Sequence, residues 1–330
     1  MIKVFSRTAR RVAISAGLAA CMASVGVCAA SSDYPSRPIR LIVPFAAGSA
    51  TDTVGRVFGE KISSLLGQPV IVENRPGALG MIGADAVAKA APDGYTVLVG
   101  TNTTHAAIRS LAKNVAYDPV KDFTPISFLG VVPQVVIVNK DLSFKTLTDL
   151  VDYARANPEK LTYGWTSSVT RVATEMLASM SQVKFFNVPY KAGSAALTDI
   201  ISGQINFTIV DMIVALPQIQ AGKVRALAVT SAQRVSQLPD LPTVSEALEL
   251  PDYELVGIFA AFGPAGLPPD ILAKLNAAIN KAGQDPDLRA RFGKMGLTVE
   301  TTSSEQLRER FAAETARWSK VATEAGIEPQ

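Results

Sequence analysis

Short apolar runs alternate with amphipathic segments along most of the chain. The first pair is a β-branched run at residues 40–43, which predicts a buried strand, and apolar residues at helical spacing over residues 54–66. Further strands are predicted at residues 69–73, 95–99, 134–138 and 224–230, and further helices at residues 81–90, 147–156, 271–282 and 304–325. This alternation predicts an α/β fold with largely parallel or mixed sheets.

Small and hydroxyl-bearing residues connect the first strand to the first helix. Pro44 ends the strand, and residues 46–51 read AAGSAT, so the backbone N–H groups of this turn are open to a ligand. They lie at the positive end of a helix, which suits an anion such as a carboxylate. Ser49, Thr51 and Asp52 are also good N-cap residues, so a turn that only caps its own helix is the alternative.

The first thirty residues predict a signal peptide. Its basic residues come first: Lys3, Arg7, Arg10 and Arg11. The apolar stretch that follows is too short and too rich in Ala and Gly to span a bilayer well, and small residues precede a cleavage site near Ala30. Residues 18–21 (LAAC) also resemble a lipobox, which makes a lipid anchor at Cys21 the alternative to simple cleavage.

Removal of this leader changes the charge and the cysteine count. The leader holds four of the 32 basic residues and none of the 29 acidic ones, so the rest carries 28 basic against 29 acidic residues. A nearly neutral protein without a basic run gives no support to nucleic-acid binding. Cys21 and Cys28 both lie in the leader, so we expect an exported protein without disulfides.

Catalytic and cofactor motifs are missing from the sequence. There is one histidine, His105, and no HExxH, CxxC, GxxxxGK[ST] or GxSxG pattern occurs. We therefore expect no metal, no cofactor and no enzymatic activity. An exported enzyme remains a rival interpretation, and it would have to use His105 or Asp211 as its general base.

A series of motifs in order resembles the Bug-type periplasmic solute-binding proteins, the receptors of tripartite tricarboxylate transporters. The matching stretches are residues 34–40 (YPSRPIR), 43–48 (VPFAAG), 72–78 (VENRPGA), 91–95 (APDGY), 100–101 (GT), 117–123 (YDPVKDF), 188–191 (VPYK), 221–230 (AGKVRALAVT) and 238–244 (LPDLPTV). They extend over almost all of the chain after the leader.

The resemblance implies a two-lobed periplasmic-binding-protein fold of the Venus-flytrap, type II-like kind. Lobe 1 would comprise residues 31–132 and 255–330, and lobe 2 residues 133–254, with the ligand cleft between them. It also implies a periplasmic monomer that captures a small organic acid, commonly a dicarboxylate, and delivers it to membrane permease subunits. A receptor that signals to a sensor kinase is the alternative partner assignment.

The same resemblance places four polar loops around the cleft. The expected ligand-binding residues are Phe45, Gly48, Ser49, Ala50, Thr51 and Asp52; Thr101, Thr103, Thr104 and His105; Trp165, Thr166, Ser167, Ser168, Thr170 and Arg171; and Asp211. Some of these have a second interpretation. His105 either starts a helix or donates into the cleft, Asp211 either caps the next helix or faces the ligand, and Arg171 either pairs a carboxylate or is solvated.

Two stretches depart from the family pattern. The lobe 2 loop at residues 163–171 (YGWTSSVTR) lacks a histidine that is common in relatives and adds Trp165, and residues 210–214 read VDMIV. The acid that would hold a ligand amino group is absent or shifted by one position, which argues against an amino-acid ligand. Trp165, Met212 and Ile213 would make the cleft more apolar. We therefore expect a carboxylate with an apolar or aromatic body, such as an aromatic dicarboxylate.

Overall fold

The computed structural model describes residues 34–190, 193–324, 326, 327 and 329, and the predicted signal peptide with Cys21 lies outside them. The strands are β1 (Ile39–Val43), β2 (Val70–Asn74), β3 (Thr96–Thr101), β4 (Phe123–Asn139), β5 (Thr162–Trp165), β6 (Phe186–Pro189), β7 (Phe207–Asp211), β8 (Val224–Val229), β9 (Val256–Pro264) and β10 (Thr298–Val299). The α-helices are α1 (Ala50–Leu66), α2 (Met81–Ala88), α3 (Ile108–Leu111), α4 (Leu147–Ala156), α5 (Ser168–Met180), α6 (Gly193–Ile201), α7 (Met212–Gln220), α8 (Val244–Leu248), α9 (Pro269–Gln284), α10 (Pro286–Lys294) and α11 (Ser304–Glu324). A 3₁₀ turn (Ala78–Gly80) precedes α2, and a π-helical turn (Asn102–Ala107) precedes α3.

The strands form two half-sheets that share β4. The first has the order β2-β1-β3-β9-β4 and the second continues from β4 to β7, β5 and β6. Neighbours of β1 and of β5 run parallel to them, whereas β9 is antiparallel to β3 and β4. Residues 123–133 of β4 pair with β9, and residues 134–139 pair with β7 and β8. The predicted mixed α/β fold is confirmed.

Close packing of α1 on the first half-sheet sets the position of the turn before it. Apolar residues at helical spacing, including Val54 and Phe58, bury one face of α1. Gly55 faces the sheet so closely that a Cβ atom there would lie 2.9 Å from Cγ2 of Val43. Gly67 ends the helix in the left-handed conformation, at φ 69°. The helix start is thereby held directly beyond the end of β1.

Strand β4 is much longer than the sequence predicts. The expected strand covered residues 134–138, but β4 has 17 residues and contains Pro125 and Pro133. Its pairing with β9 shifts register between Pro125 and Ser127 and again between Phe128 and Gly130, and such bulges accommodate residues that interrupt a regular ladder. Because prolines are disfavoured inside strands, the sequence does not predict the first half of β4.

The C-terminal helices pack on the first half-sheet. Helix α11 lies against β4 and the π-helical turn, and it buries Leu307, Phe311 and Trp318. Helix α9 packs against β4 and α1. No helix within the described part of the chain is long and apolar enough to cross a membrane.

Candidate functional site

Loops from both half-sheets surround one cleft of about 490 Å³, a volume that includes its open mouth. Most of its lining residues stand at the C-terminal ends of strands or the starts of helices. They are Phe45, Ala46, Ser49, Ala50, Thr51, Thr101, Asn102, Thr103, Thr166, Ser167, Val169, Gly193, Asp211, Gly257, Ile258 and Phe259. The structure therefore brings together residues from all four loops that the sequence singles out.

A hydrogen-bond network holds the first loop in shape. The Oγ of Ser49 accepts from the Asp52 backbone at 3.2 Å, and the Asp52 carboxylate accepts from the Gly48 N–H at 2.9 Å and from Asn74 Nδ2 at 2.9 Å. Burial raises the pKa of Asp52, but hydrogen bonds from Arg56, Gly48 and Asn74 outweigh it and leave this pKa below its usual value. Asp52 and Gly48 do not line the cleft, so they act as its scaffold.

The N–H groups of Ala50 and Thr51 take no part in this network. Ser49 is the N-cap of α1, so these two residues are the first in the helix, where N–H groups have no acceptor within the helix. Both residues line the cleft. The first loop can therefore offer backbone donors to an anion in the way that the sequence predicts.

The second loop carries two buried oxygens without a partner. Thr101 Oγ1 and Asn102 Oδ1 have no hydrogen-bond partner, although the two residues are only 5% and 1% exposed. Asn102 Nδ2 donates to the Val256 carbonyl at 2.9 Å, which fixes its amide at the edge of the cleft. Leaving a buried polar atom unpaired costs about 1–3 kcal/mol. The Thr101 hydroxyl can donate to an anionic ligand, whereas Asn102 Oδ1 only accepts and needs a donor group.

The third loop is held by Thr170. Its Oγ1 accepts from the backbone N–H of Thr166 at 3.0 Å and of Ser167 at 3.1 Å. Thr166 and Ser167 line the cleft, but Thr170 does not. The predicted ligand residue Thr170 thus shapes the loop, and Ser168 is buried behind it.

Five helix starts border the cleft and make its electrostatic potential positive. The first residues or N-caps of α1, the π-helical turn, α5, α6 and α7 all line it. A helix start carries roughly half a positive charge. No Lys or Arg side chain lines the cleft within the described residues, and Asp211 is the one lining residue that titrates there. Within the described part of the chain, the groups that attract an anion to the cleft are therefore backbone dipoles.

Asp211 faces the cleft and does not cap its helix. It stands at the N-cap of α7, yet its side chain makes no cap hydrogen bond. Its Oδ1 accepts instead from Nε2 of Gln134 at 2.8 Å. Burial raises the pKa of Asp211 to about 6, although the hydrogen bonds to Gln134 and to its own backbone oppose the shift. Of the two interpretations open from sequence, the structure favours the cleft-facing one.

The raised pKa of Asp211 makes a testable prediction about stability. The ionised carboxylate is disfavoured in the folded protein, so Asp211 costs stability as the pH rises from about 4 through 6. We expect Asp211→Asn, whose amide oxygen can still accept from Gln134, to stabilise the ligand-free protein at pH 8 by about 1–2 kcal/mol after allowance for partial exposure. Urea unfolding should show this gain shrinking as the pH falls to 4, and an equal gain at both pH values would contradict the assignment.

His105 lies outside the cleft, which corrects its predicted role as a cleft donor. Its ring stacks on Phe262 with centroids 3.8 Å apart and meets Phe123 and Phe311 edge-on. Its Nδ1 lies 2.9 Å from Thr104 Oγ1, and Thr104 also does not line the cleft. Burial lowers the pKa of His105 to about 3. The ring is thus a neutral member of an aromatic cluster.

The expected apolar wall of lobe 2 is also corrected. Trp165 packs against the core, and the Arg171 guanidinium lies 5.4 Å from its ring centroid, so neither lines the cleft. Met212 and Ile213 are buried and do not line it either. The apolar walls come from Phe45, Val169, Ile258 and Phe259 instead.

The sequence does not predict several of the residues that line the cleft. Asn102 stands between two predicted threonines and could have been included, but Ile258 and Phe259 belong to an apolar strand with no polar signal. Gly257 lies so close to the site that a Cβ atom would be 3.2 Å from Asp211 Oδ1 and 3.1 Å from Gln134 Nε2. Within the described residues no cluster of three His, Cys, Asp or Glu side chains could hold a metal ion.

Comparison with known proteins gives consistent matches. Residues 54–327 match the family model described as the tripartite tricarboxylate transporter family receptor. An R. palustris protein solved with adipate is 35% identical with a TM-score of 0.88, and covers 90% of this chain and all of that one. MatC from Rhodopseudomonas palustris, solved with bound malate, is 33% identical with a TM-score of 0.83, over 88% of this chain and all of MatC. The periplasmic binding protein BugD is 32% identical with a TM-score of 0.85, over 90% of this chain and all of BugD.

Proposed function

Because the chain belongs to the tripartite tricarboxylate transporter receptor family, we propose that its cleft captures a small dicarboxylate with an apolar body and delivers it to the membrane subunits of such a transporter. The family consists of solute-binding receptors, so the chain is not an enzyme. Its fold is the mixed α/β periplasmic-binding-protein fold that the resemblance implied.

The arrangement of donors around the cleft carries the carboxylate part of this proposal. Five helix starts surround a site with no lysine or arginine among its described lining residues. Ala50 and Thr51 offer N–H groups, and Thr101 contributes a buried hydroxyl that lacks a partner. Charge-assisted hydrogen bonds to such donors are stronger than neutral ones. An anion is the ligand that best provides acceptors for these donors.

The walls of the cleft support an apolar ligand body. Phe45 and Phe259 contribute aromatic surface, and Val169 and Ile258 contribute aliphatic surface. Burying apolar ligand area against such walls is favourable at roughly 25 cal/mol per Å². The relative solved with adipate holds an aliphatic dicarboxylate, whereas MatC was solved with the hydroxylated diacid malate. We place this chain nearer the first, with a chain or an aromatic ring between the carboxylates.

Hinge closure supplies a mechanism for capture. We assign the first half-sheet to lobe 1, residues 31–132 and 255–330, and the second to lobe 2, residues 133–254. Strand β4 passes from one half-sheet to the other near Pro133, where β9 pairs with it. A ligand that touches both lobes favours the closed form by its differential affinity for that form. Export through the predicted signal peptide, residues 1–30, would place this receptor in the periplasm.

A ligand panel tests the proposed function. Titration calorimetry with adipate and terephthalate should give micromolar affinities, and malate, citrate and aspartate should bind at least tenfold more weakly because their polar bodies lose hydration against the apolar walls. A ligand at 100 times its dissociation constant should stabilise the protein by about 2.7 kcal/mol in thermal melts.

Hexanoate is the matched control for the second carboxylate. It has the body length of adipate and one acid group, so we expect it to bind more weakly than adipate. Tight binding of citrate or aspartate without binding of apolar-bodied diacids would contradict the proposed ligand class.

A further inference from the structure

A dicarboxylate in this cleft meets an excess of negative charge. The ligand carries two carboxylates, Asp211 adds a third, and no lysine or arginine of the described chain lines the cleft. The donors of the first loop can hold one ligand carboxylate. The second carboxylate must then share the remaining space with Asp211, and two ionised carboxylates that share a site repel each other strongly.

The hydrogen bonds of Asp211 leave one of its oxygens available. Oδ1 accepts from Gln134 Nε2 at 2.8 Å. Gln134 is itself fully buried, and its backbone N–H donates to Thr230 Oγ1 at 3.0 Å, so the donor of this bond has a fixed position. Gly257 lies beside the same oxygen, since a Cβ atom there would be 3.2 Å from Oδ1, and the missing side chain leaves room next to the carboxyl. Because Gln134 already donates to Oδ1, Oδ2 is the oxygen that remains to carry a proton.

No other titratable group of the described chain faces Asp211 across the cleft. Strand β4 contributes Gln134, and β9 contributes residues 257–259. The loops before α1, α3 and α5 contribute hydroxyls, an amide and apolar groups, and α6 contributes Gly193, which has no side chain. The acid of the first loop, Asp52, does not line the cleft and is paired with Arg56 at 2.9 Å. Among the residues that the structure describes, neither a basic side chain nor a second acid is therefore placed to take over the proton of Asp211.

We propose that Asp211 takes up one proton from solvent when a dianionic ligand binds, and that its carboxylic acid then donates a hydrogen bond to the second carboxylate of the ligand. This inference rests on the proposed function. One proton enters the complex for each ligand, and the repulsion between two carboxylates becomes a short charge-assisted O–H···O⁻ bond. Capture of the ligand thereby becomes dependent on pH.

The ligand-free site is already biased toward this protonation. Burial raises the pKa of Asp211 to about 6, so part of the population holds the proton near neutral pH. The negative charge of an incoming carboxylate raises this pKa further. The alternative is a ligand that brings its own donor, such as a hydroxyl or an ammonium group, to an ionised Asp211.

Calorimetry with adipate tests the proton uptake directly. The protein is titrated between pH 6.5 and 8.5 in two buffers with different enthalpies of ionisation, where both adipate carboxylates are ionised. We expect the affinity to fall about tenfold per pH unit above pH 7, and the buffer dependence to report close to one proton taken up at pH 8.5. Binding that is independent of pH, with no proton uptake, would overturn the inference.

Asp211→Asn is the matched variant. Its amide oxygen can still accept from Gln134, and its amide nitrogen donates at every pH. We expect its adipate affinity to be flat with pH, without proton uptake, and at least tenfold higher than that of the wild type at pH 8.5. A variant that loses adipate at every pH would overturn the inference. If no diacid binds either protein at any pH, the proposed function itself fails, which is distinct from binding without a pH dependence.

Discussion

Replacing Ala50 with proline should weaken dicarboxylate binding by about 10- to 100-fold and leave the fold intact. A hydrogen bond to a charged group contributes about 1.5–3 kcal/mol, and this substitution removes one N–H donor from the first turn of α1. Proline is tolerated at the first helical position because that N–H has no acceptor within the helix. The preceding Ser49 is extended, at ψ 164°, as a residue before proline prefers.

Ala50→Gly is the control for this experiment. It keeps the N–H donor and removes only a methyl group, so we expect adipate affinity within about threefold of the wild type, from the small helix-propensity cost of glycine. Circular dichroism and the melting temperature check that both variants fold. If Ala50→Pro folds and binds adipate as the wild type does, the backbone of the first loop does not hold the carboxylate, and the anion must be bound by the second and third loops.

The positions of the cleft loops could be predicted because their signals are local. A β-branched strand, a turn of small residues and an apolar helix follow one another at residues 40–66, and the turn lines the cleft in the structure. Thr101 is the last residue of β3 and also lines the cleft. The ends of parallel strands meet at one edge of a sheet, so a sequence that reveals strand ends also reveals where a ligand site forms.

The side to which each loop residue points could not be predicted. Thr101 and His105 are four positions apart, yet the first faces the cleft and the second is buried against Phe262. The reason is the π-helical turn, whose wider winding breaks the helical spacing that a sequence reading assumes. Trp165 ends β5 and packs into the core for a similar reason, since its orientation depends on tertiary contacts.

The local sequence of β9 does not reveal that this strand forms a wall of the cleft. Its sequence is almost wholly apolar, and all but one of its residues are buried. Ile258 and Phe259 reach the cleft only because β9 pairs with both β3 and β4 at the shared edge of the site. Which residues of a buried strand border a cavity depends on these long-range pairings, which one sequence does not reveal.

Replacing His105 with phenylalanine should make the protein markedly more resistant to acid. Burial lowers the pKa of His105 to about 3, whereas a histidine of the unfolded chain titrates near 6.5. The unfolded state therefore binds a proton at His105 that the folded state does not bind. The protein consequently loses stability as the pH falls from 6.5 toward 3. At pH 5 this loss amounts to about 2 kcal/mol relative to pH 8.

His105→Phe removes that titration and retains the ring that stacks on Phe262. It also removes the contact with Thr104 Oγ1, a constant cost of about 1 kcal/mol at every pH. Urea unfolding at pH 8 and pH 5 should therefore show that the wild type loses about 2 kcal/mol more than the variant over this interval. Asp211 titrates in the same interval with the opposite sign, but it does so in both proteins and cancels in the comparison. Since His105 lies outside the cleft, the adipate affinity of the variant at pH 8 should stay within about twofold of the wild-type value. A large loss of adipate binding in the folded variant would show that His105 belongs to the binding site.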